Sequence, residues 1–327
     1  MADPIVVERL LDTNPEETFA LLTEPARLRR WQAVSAAVDL RVGGDYRFTV
    51  MPGSIAIGSI TEIDPGKRLV MSWGWADSDE VPPGSSTLLV ELEPEGEQTR
   101  VRFTHEGLVG VWAERHHDGW SYHLDRLVEV AAGVEPDHRV WDPGSDDLDH
   151  LSVAEATWEA CRQQLIGLTA DDQEQATPCA EFNLHELVVH LRNSIEGLAA
   201  CAGGTIDESI ESSTAEDYIA VAAEAALAAW RANGLDGEVP FGQGTAPAVL
   251  PAGIMSLEFL VHAWDIAQAT GRGSVEVAEP VAAFVLDIAK GIITDDARGT
   301  GNFEAAQEAW SDDNLSQLIA FTGRKPL

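Results

Sequence analysis

The chain has 327 residues, 45% of them hydrophobic, and its 21 basic and 55 acidic residues give a formal net charge of −34 at pH 7. This length predicts about two domains, and the acidic excess in both halves argues against nucleic acid and anionic membranes as partners. No apolar run reaches the roughly 18 residues of a membrane helix, and the N-terminus lacks the regions of a signal peptide, so we expect a cytoplasmic protein.

Residues 1–130 predict one helix, a run of strands and a closing helix. In NPEETFALLTEPARLRRW, Asn14 takes the N-cap position, Pro15 opens the helix and Glu17 lies three residues after the cap. Helical spacing returns in GWSYHLDRLVEVAAG. Between them, about six antiparallel strands are predicted by alternating hydrophobicity and separated by turn residues: VDLRVG, DYRFTVM, IAIGSITEID, RLVMSWGW, STLLVELEPE and TRVRFTHEG.

This order of elements is similar to that of a known superfamily. The stretches PEETFALLTEPARLRRW, DLRVGGDYRF, EIDPGKRLVMSWGW and THEGL resemble the helix-grip (START-like, SRPBCC) superfamily, and within it the homologues of the activator of the heat-shock-protein-90 ATPase. The resemblance covers roughly residues 3–132. It implies a curved antiparallel sheet that grips a long C-terminal helix, a cavity for an apolar small molecule, and no universal catalytic residue. Trp73 and Trp75 would line that cavity or pack the sheet.

The second half of the chain has a different pattern. GVEPDHRVWDPGSDDL is rich in Pro, Gly and Asp without periodicity and indicates a linker, so we place a helix-grip domain at 1–133, the linker at 134–148 and a second domain at 149–327. Short connections between four main helices predict an all-α antiparallel four-helix bundle, and thus an α+β chain overall. The predicted helices span about 149–168, 183–201, 213–233, 250–271, 278–293 and 312–322.

The stretch LEFLVHAWD places three ionisable side chains in an otherwise apolar helix. Glu258, His262 and Asp265 follow one another at about one turn, so they share one side of the helix. A buried carboxylate without a partner is costly, and something must compensate Glu258. In TPCAEFNLHELVVHLRN, His190 falls about two turns into a helix that a capping box of Asn183 and Glu186 begins.

His190, Glu258 and His262 are therefore candidate ligands of one divalent metal. Two imidazoles and a carboxylate form the ligand set of catalytic zinc sites, in which a further position stays open for water or substrate. The same spacing is equally compatible with two core histidines whose partners are backbone groups or Glu258. Asp265 could be a fourth ligand, a tentative catalytic group, or a partner that orients a ligand imidazole.

A second resemblance favours the metal. TPCAEFNLHELVVHL, SLEFLVHAWDIAQATG and LSQLIAFTGRKP resemble the DinB-like bundle family that contains the N-terminal domain of mycothiol-dependent maleylpyruvate isomerase, over roughly residues 150–327. The resemblance implies a divalent metal, zinc or nickel, on His190, Glu258 and His262. Two features depart from the family: Phe182 stands where Trp is usual, and the isomerase's C-terminal extension has no counterpart, so isomerisation of maleylpyruvate is not assigned.

These features predict a metal-dependent enzyme. The metal would activate a low-molecular-weight thiol, with mycothiol as cosubstrate in an actinobacterial source, or a water, for attack on a small apolar substrate. The helix-grip domain would bind a small hydrophobic ligand. The alternative is a non-enzymatic ligand-binding or stress- and chaperone-linked protein with a structural or vestigial metal. The oligomeric state stays open, with a homodimer as one alternative.

Two other groups of residues are weaker candidates. Cys179 could be a nucleophile or an extra ligand, although a small buried residue in a helix-entry loop is the simpler interpretation. His116, His117 and Asp118 suggest a metal cluster, but adjacent residues point in different directions and we expect a solvated, exposed turn there.

Overall fold

The computed structural model describes residues 3–138, 140–144, 148–179, 181–207, 209, 212–299 and 303–327. The chain divides into two compact units, Met1–His138 and Arg139–Leu327. The predicted linker at 134–148 lies across this division, with residues 139 and 145–147 outside the described part. The predicted domain boundaries stay a prediction, and each unit is described by itself.

The described part of the first unit contains a seven-stranded antiparallel sheet. Its neighbours follow the order β1-β7-β6-β5-β4-β3-β2, with register shifts in the pairs β3–β4 and β4–β5. Such irregularities bend a strand and help a sheet to curve. The strands are β1 (Ile5–Leu11), β2 (Ser35–Val38), β3 (Asp45–Met51), β4 (Ser54–Asp64), β5 (Arg68–Trp75), β6 (Ser86–Glu95) and β7 (Gln98–Glu106).

The five predicted strands from DYRFTVM to TRVRFTHEG are confirmed, and the one at VDLRVG is wrong. The strand there ends at Val38, because residues 41–43 form the turn that leads into β3. This turn brings Gly44 so close to Asp39 that a Cβ atom at Gly44 would collide with the carbonyl oxygen of Asp39. The sequence pattern does not predict β1, since the apolar Val6 is 43% exposed on the face opposite the core and blurs the alternation.

Three helices accompany the sheet: α1 (Pro15–Thr23), α2 (Pro25–Trp31) and α3 (Val111–Ala131). The predicted cap is confirmed, because the Asn14 side chain accepts a hydrogen bond of 2.8 Å from the Glu17 backbone N–H. The single helix predicted over α1 and α2 is wrong: Pro25 has no N–H to donate, and the residue before it takes an extended conformation.

Helix α3 supplies one wall of the core of the first unit. Leu124 and Leu127 are fully buried, and Trp120 is 4% exposed. They join the inward-facing side chains of the sheet in one hydrophobic cluster, which also includes Trp31 and Trp73. A large antiparallel sheet with a long C-terminal helix against it is the arrangement expected of a helix grip.

The second unit is mainly helical. The six predicted helices are present with ends that differ by a few residues, but the all-α prediction is wrong, since a hairpin joins the third and fourth. Its strands have four residues each and give little periodic signal. The assignment to a DinB-like four-helix bundle stays a prediction. The elements are α4 (His150–Leu165), α5 (Leu184–Cys201), α6 (Ala215–Asn233), β8 (Glu238–Phe241), β9 (Gly244–Pro247), α7 (Val249–Thr270), α8 (Glu279–Ile292), α9 (Asp295–Gly299) and α10 (Asn314–Phe321).

Helix α7 lies in the centre of this unit and packs mainly against α4 and α5. Its Phe259 ring lies 5.4 Å from the ring of Trp158 on α4, centroid to centroid. Among the described residues, α7 is the one helix long and apolar enough to span a membrane, and 78% of its most apolar stretch is buried inside the unit. This burial accounts for its apolar composition.

Candidate metal centre and helix-grip cavity

The structure brings His190, Glu258 and His262 together between α5 and α7. One ligand atom from each lies within 4.8 Å of the others. Oε2 of Glu258 is 3.5 Å from Nε2 of His262 and 3.7 Å from Nε2 of His190. Ligands of a tetrahedral metal with bonds of about 2.1 Å lie about 3.4 Å apart. The three side chains thus need only small adjustments to hold one cation.

The Glu258 carboxylate is the unusual group of this cluster. Its Oε2 atom is buried and has no hydrogen-bond partner among the described residues, and both imidazole nitrogens lie beyond ordinary hydrogen-bond distance. Ser194, one turn after His190 on α5, also interacts with the carboxylate through its side chain. An unpaired buried carboxylate oxygen beside two imidazoles fits a divalent cation, because the ion would supply the missing partner.

Asp265 is set apart from this trio and orients one member of it. Its side chain is fully buried, and Oδ2 accepts a hydrogen bond of 3.0 Å from Nδ1 of His262. Nε of Arg324, which follows α10, donates to Oδ1 and Oδ2 of Asp265 at 2.8 and 2.9 Å. Both carboxylate oxygens are thereby engaged. This geometry favours the orienting role over a fourth ligand or a catalytic group.

The charges of the site depend on one another. Burial would lower the pKa of His262, but its hydrogen bond to Asp265 and the negative charges of Glu258 and Asp265 prevail and raise that pKa to about 9. Burial also opposes ionisation of the two carboxyl groups, yet their cationic neighbours bring the pKa values of Glu258 and Asp265 below the ordinary range. Burial and the nearby His262 lower the pKa of His190.

One side of the site is open to solvent. The His190 side chain is 37% exposed and that of Glu258 is 21% exposed, whereas His262 is 5% exposed. The ring of Phe182 stacks on His190, with 4.8 Å between centroids and 24° between planes. Phe182 therefore forms part of the wall of the site.

The neighbouring Cys179 is half-buried in the loop before α5. Burial raises the pKa of its thiol, and the positive charge of Arg324 only partly offsets this effect. A protonated thiol is a weak nucleophile and a poor metal ligand. The simpler interpretation of Cys179 as a packing residue is therefore favoured.

The first unit has a cavity of about 470 Å³ between α3 and the sheet. Trp73 and Trp75 line it, and both also pack in the hydrophobic cluster of this unit, so the two roles expected for them apply together. Other lining residues are Gln32, Val50, Met51, Gly53, Ser54, Ile55, Ala76, Asp77, Ser78, Trp112, Arg115, His116, Gly119, Trp120 and His123.

His116 is not on an exposed turn, so this prediction is wrong for it. It lies in α3 and is 6% exposed, because the helix begins at Val111 and turns this side chain toward the cavity. Its Nδ1–H donates to the Trp112 carbonyl at 2.7 Å, and its Nε2 accepts from the Trp75 indole at 3.2 Å. His117 and Asp118 are exposed as expected, but they lie in the same helix, so the predicted turn is wrong for them too.

Two parts of the site carry little or no sequence signal. Arg324 lies in the stretch LSQLIAFTGRKP, and a buried Asp265 requires a cationic partner. Sequence spacing does not pair the two residues, because they are 59 positions apart. Gln32 lines the cavity from the end of α2. The helical pattern of the sequence does not indicate that this residue faces a cavity.

The sheet, the long helix and the cavity between them define the first unit as a helix-grip domain. Residues 12–132 match the family model "Activator of Hsp90 ATPase homolog 1-like protein", so this domain is AHSA1-like. The expected resemblance of the first unit is therefore confirmed, whereas that of the second unit to the DinB-like family stays a prediction.

Individual relatives cover one part of the chain each. An uncharacterised protein of Mycobacterium tuberculosis is 26% identical over 184 residues, which is 54% of this chain and 98% of that protein. An AHSA1-like protein of Rhizobium etli is 37% identical and covers 44% of this chain and 96% of its own, with a TM-score of 0.35. CalU16 of Micromonospora echinospora is 26% identical, covers 39% of this chain and 76% of its own, and has a TM-score of 0.34.

Proposed function

We propose that the protein is a metal-dependent enzyme with a ligand-binding helix-grip domain. His190, Glu258 and His262 bind a divalent metal, with zinc or nickel as the candidates. The substrate is small and apolar, and it is attacked by a low-molecular-weight thiol, such as mycothiol, or by water. The observation that carries this proposal is the buried Oε2 atom of Glu258, which lies between two imidazole nitrogens and lacks a partner among the described residues.

The residues of the site divide the work between binding and orientation. The Nδ1–H of His262 is held by Asp265, which leaves Nε2 directed at Glu258. Arg324 fixes Asp265 in turn and balances its charge. A divalent metal in this position supplies Lewis acidity, which lowers the pKa of a bound thiol or water. The side chains themselves need no further general base if the nucleophile is a thiolate.

A catalytic role is favoured over a structural one by the exposure of the site. Structural zinc sites are usually closed by four protein ligands, whereas catalytic sites keep three and an open position. The described residues offer three ligands, and His190 forms the accessible edge. The rival proposal, a non-enzymatic binding protein with a structural or vestigial metal, draws on the helix-grip cavity, whose described lining residues form no evident catalytic set.

The metal can be tested by elemental analysis of the untagged full chain. We expect about one zinc or nickel per chain in the wild type and a loss of most of it in His262→Ala and Glu258→Gln. His185→Ala is the matched control, because His185 is an exposed histidine on the same helix as His190. A wild-type protein that stays free of metal after reconstitution would overturn the proposed site.

The enzymatic part needs a separate assay. The metal-loaded chain should accelerate addition of a thiol to small apolar electrophiles, or their hydrolysis, and His190→Ala should abolish the acceleration. A chain that binds stoichiometric metal but turns over none of a panel of thiols, electrophiles and esters would favour the non-enzymatic rival. The proposed cosubstrate mycothiol is compared with glutathione and cysteine in the same panel.

A further inference from the structure

Arg324 carries hydrogen-bond donors that the described part of the chain leaves unused. Its side chain is 12% exposed, and its Nε atom donates to both carboxylate oxygens of Asp265 at 2.8 and 2.9 Å. Nη1 and Nη2 make no hydrogen bond to the described residues, and neither is among their buried unpartnered atoms, so both reach solvent. A guanidinium has five N–H groups, and the four on this Nη pair therefore stay free for a ligand.

The end of α10 fixes where this side chain begins. Gly323 has φ +94°, its N–H donates to the Ala320 carbonyl at 3.0 Å, and the N–H of Arg324 donates to the Ile319 carbonyl at 3.3 Å. These bonds form a Schellman motif, in which the position of Arg324 often carries an apolar residue that packs against the helix. The motif therefore explains the place of residue 324 but not the presence of a guanidinium there.

The free edge of the guanidinium lies beside the candidate metal centre. The carboxylate of Asp265 joins the two, because it accepts from both Arg324 and Nδ1 of His262. The positive charge of Arg324 also interacts with Glu258 and with His190, the exposed ligand of the trio. The unused donors are therefore within reach of a small molecule at the open side of the metal centre.

The charge of the metal-loaded site favours an anion. A divalent cation, the carboxylates of Glu258 and Asp265 and the guanidinium of Arg324 leave one positive charge, because metal-bound imidazoles are neutral. Since the chain carries a formal net charge of −34, general electrostatic attraction does not bring anions to it, and their binding depends on a local site. A carboxylate at the terminal edge of a guanidinium forms two parallel charge-assisted hydrogen bonds.

We propose that the Nη pair of Arg324 binds a carboxylate group of one of the two reactants and thereby orients that reactant beside the metal. The planar fork of a guanidinium matches the two oxygens of a carboxylate, whereas a lysine offers no such fork. The carboxylate belongs either to the substrate, which is then apolar apart from this group, or to the thiol. This inference rests on the proposed function, because it gives the reactants of that same site a chemical class.

The test uses two pairs of probes that differ in one charge and little else: benzoate with benzamide, and N-acetylcysteine with N-acetylcysteine amide. Isothermal titration calorimetry on the metal-loaded full chain near neutral pH should show that the carboxylate of at least one pair binds about tenfold more tightly than its amide. The pair with this preference identifies the reactant that carries the carboxylate. The preference should fall to about twofold or less in Arg324→Gln, and to about threefold in Arg324→Lys, which keeps the charge without the fork.

The controls separate a lost binding group from a damaged site. Arg272→Gln is the matched control, because Arg272 also pairs with an aspartate, Asp172 at 3.0 Å, and its side chain is 35% exposed. This variant should keep the wild-type preference. Unchanged affinity for the amides in the Arg324 variants shows that the site is intact, and Arg324→Lys carries the test if Arg324→Gln does not fold.

Several results would overturn the inference while the metal site stands. They are equal affinities within both pairs in the wild type, no binding of any probe, an equal loss of preference in Arg272→Gln, and a preference retained in both Arg324 variants, which would assign the carboxylate to the metal itself. If elemental analysis finds no metal in the wild type, the proposed function fails and this inference fails with it.

Discussion

Acid should destabilise the first unit through His105, because a chain of hydrogen bonds keeps this histidine neutral. The indole N–H of Trp120 can only donate, and it donates to Nδ1 of His105 at 3.0 Å. Nε2 must then carry the proton, and it donates to Oγ of Ser86 at 2.9 Å, whose own proton goes to the carbonyl of Trp73 at 3.1 Å. A second proton on His105 would place two donors face to face.

The size of the effect follows from the pKa. Burial, assisted by the nearby His116, lowers the pKa of His105 from 6.5 to about 3. The unfolded chain therefore binds more protons than the folded one between these two values, and the stability from this residue is lost as the pH falls through that window. At about pH 5 the loss from His105 amounts to about 2 kcal/mol relative to about pH 8.

The comparison must use a variant, because the other groups also titrate. Acid reduces the net charge of −34 and thereby relieves repulsion, which stabilises the fold and masks the effect of one histidine. In His105→Gln the side chain cannot titrate. Urea unfolding at about pH 8 and about pH 5 should show a decrease in the free energy of unfolding that is smaller in the variant by about 2 kcal/mol. Hydrogen exchange of peptides from β6 and β7 assigns the transition to the first unit. Equal decreases in both proteins would refute the reasoning.

Three further predictions concern the second unit. Trp158 and Trp230 are both fully buried, but Nε1 of Trp158 has no partner among the described residues whereas Nε1 of Trp230 donates to a backbone carbonyl at 3.1 Å. Trp230→Phe should therefore lower the free energy of unfolding by about 1 kcal/mol more than Trp158→Phe, as measured by urea unfolding. A larger loss in Trp158→Phe would contradict the assigned role of the Trp230 hydrogen bond. Asp265→Asn should weaken metal binding about 10- to 100-fold in competition with a chelator, since it loosens His262, and unchanged affinity would remove its orienting role. Gly323 has φ +94°, and a Cβ there would lie 2.9 Å from backbone atoms of Glu304. Gly323→Ala should therefore lower the stability of the fold by about 1–3 kcal/mol in thermal unfolding. An unchanged melting temperature would show that the backbone around Gly323 and Glu304 adjusts without cost.

Local chemistry made much of the fold predictable. The box of Asn183 and Glu186 begins α5 where the spacing places it, with backbone-to-side-chain bonds of 3.0 and 2.9 Å in the two directions. Gly234, with φ +76°, ends α6. Glu258 and His262 share a face because one helical turn separates them, and that needs no knowledge of the rest of the molecule.

Contacts between distant elements were not predictable in the same way. Gln32 and His123 meet at the peptide after Trp31, which is 92 positions from His123. His116 looks like part of a solvated turn because its neighbours are His and Asp, yet tertiary burial against Trp75 decides its place. Periodicity reports which face of an element is buried, but the partner of that face depends on how whole elements pack.

The buried histidines of the two units also show why residue type alone could not assign their roles. In His262 and His123 the Nδ1 atom is held by an oxygen and Nε2 is left for another group. For His262 the oxygen belongs to a carboxylate, whose charge helps to raise the pKa to about 9 despite burial. For His123 it belongs to a carbonyl, and burial prevails, so that the pKa falls to about 4. The same contact of Nδ1 with an oxygen therefore belongs to a charged histidine in an ion network in one unit and to a neutral histidine in an aromatic cavity in the other. The difference lies in an oxygen atom that only the folded chain brings into place.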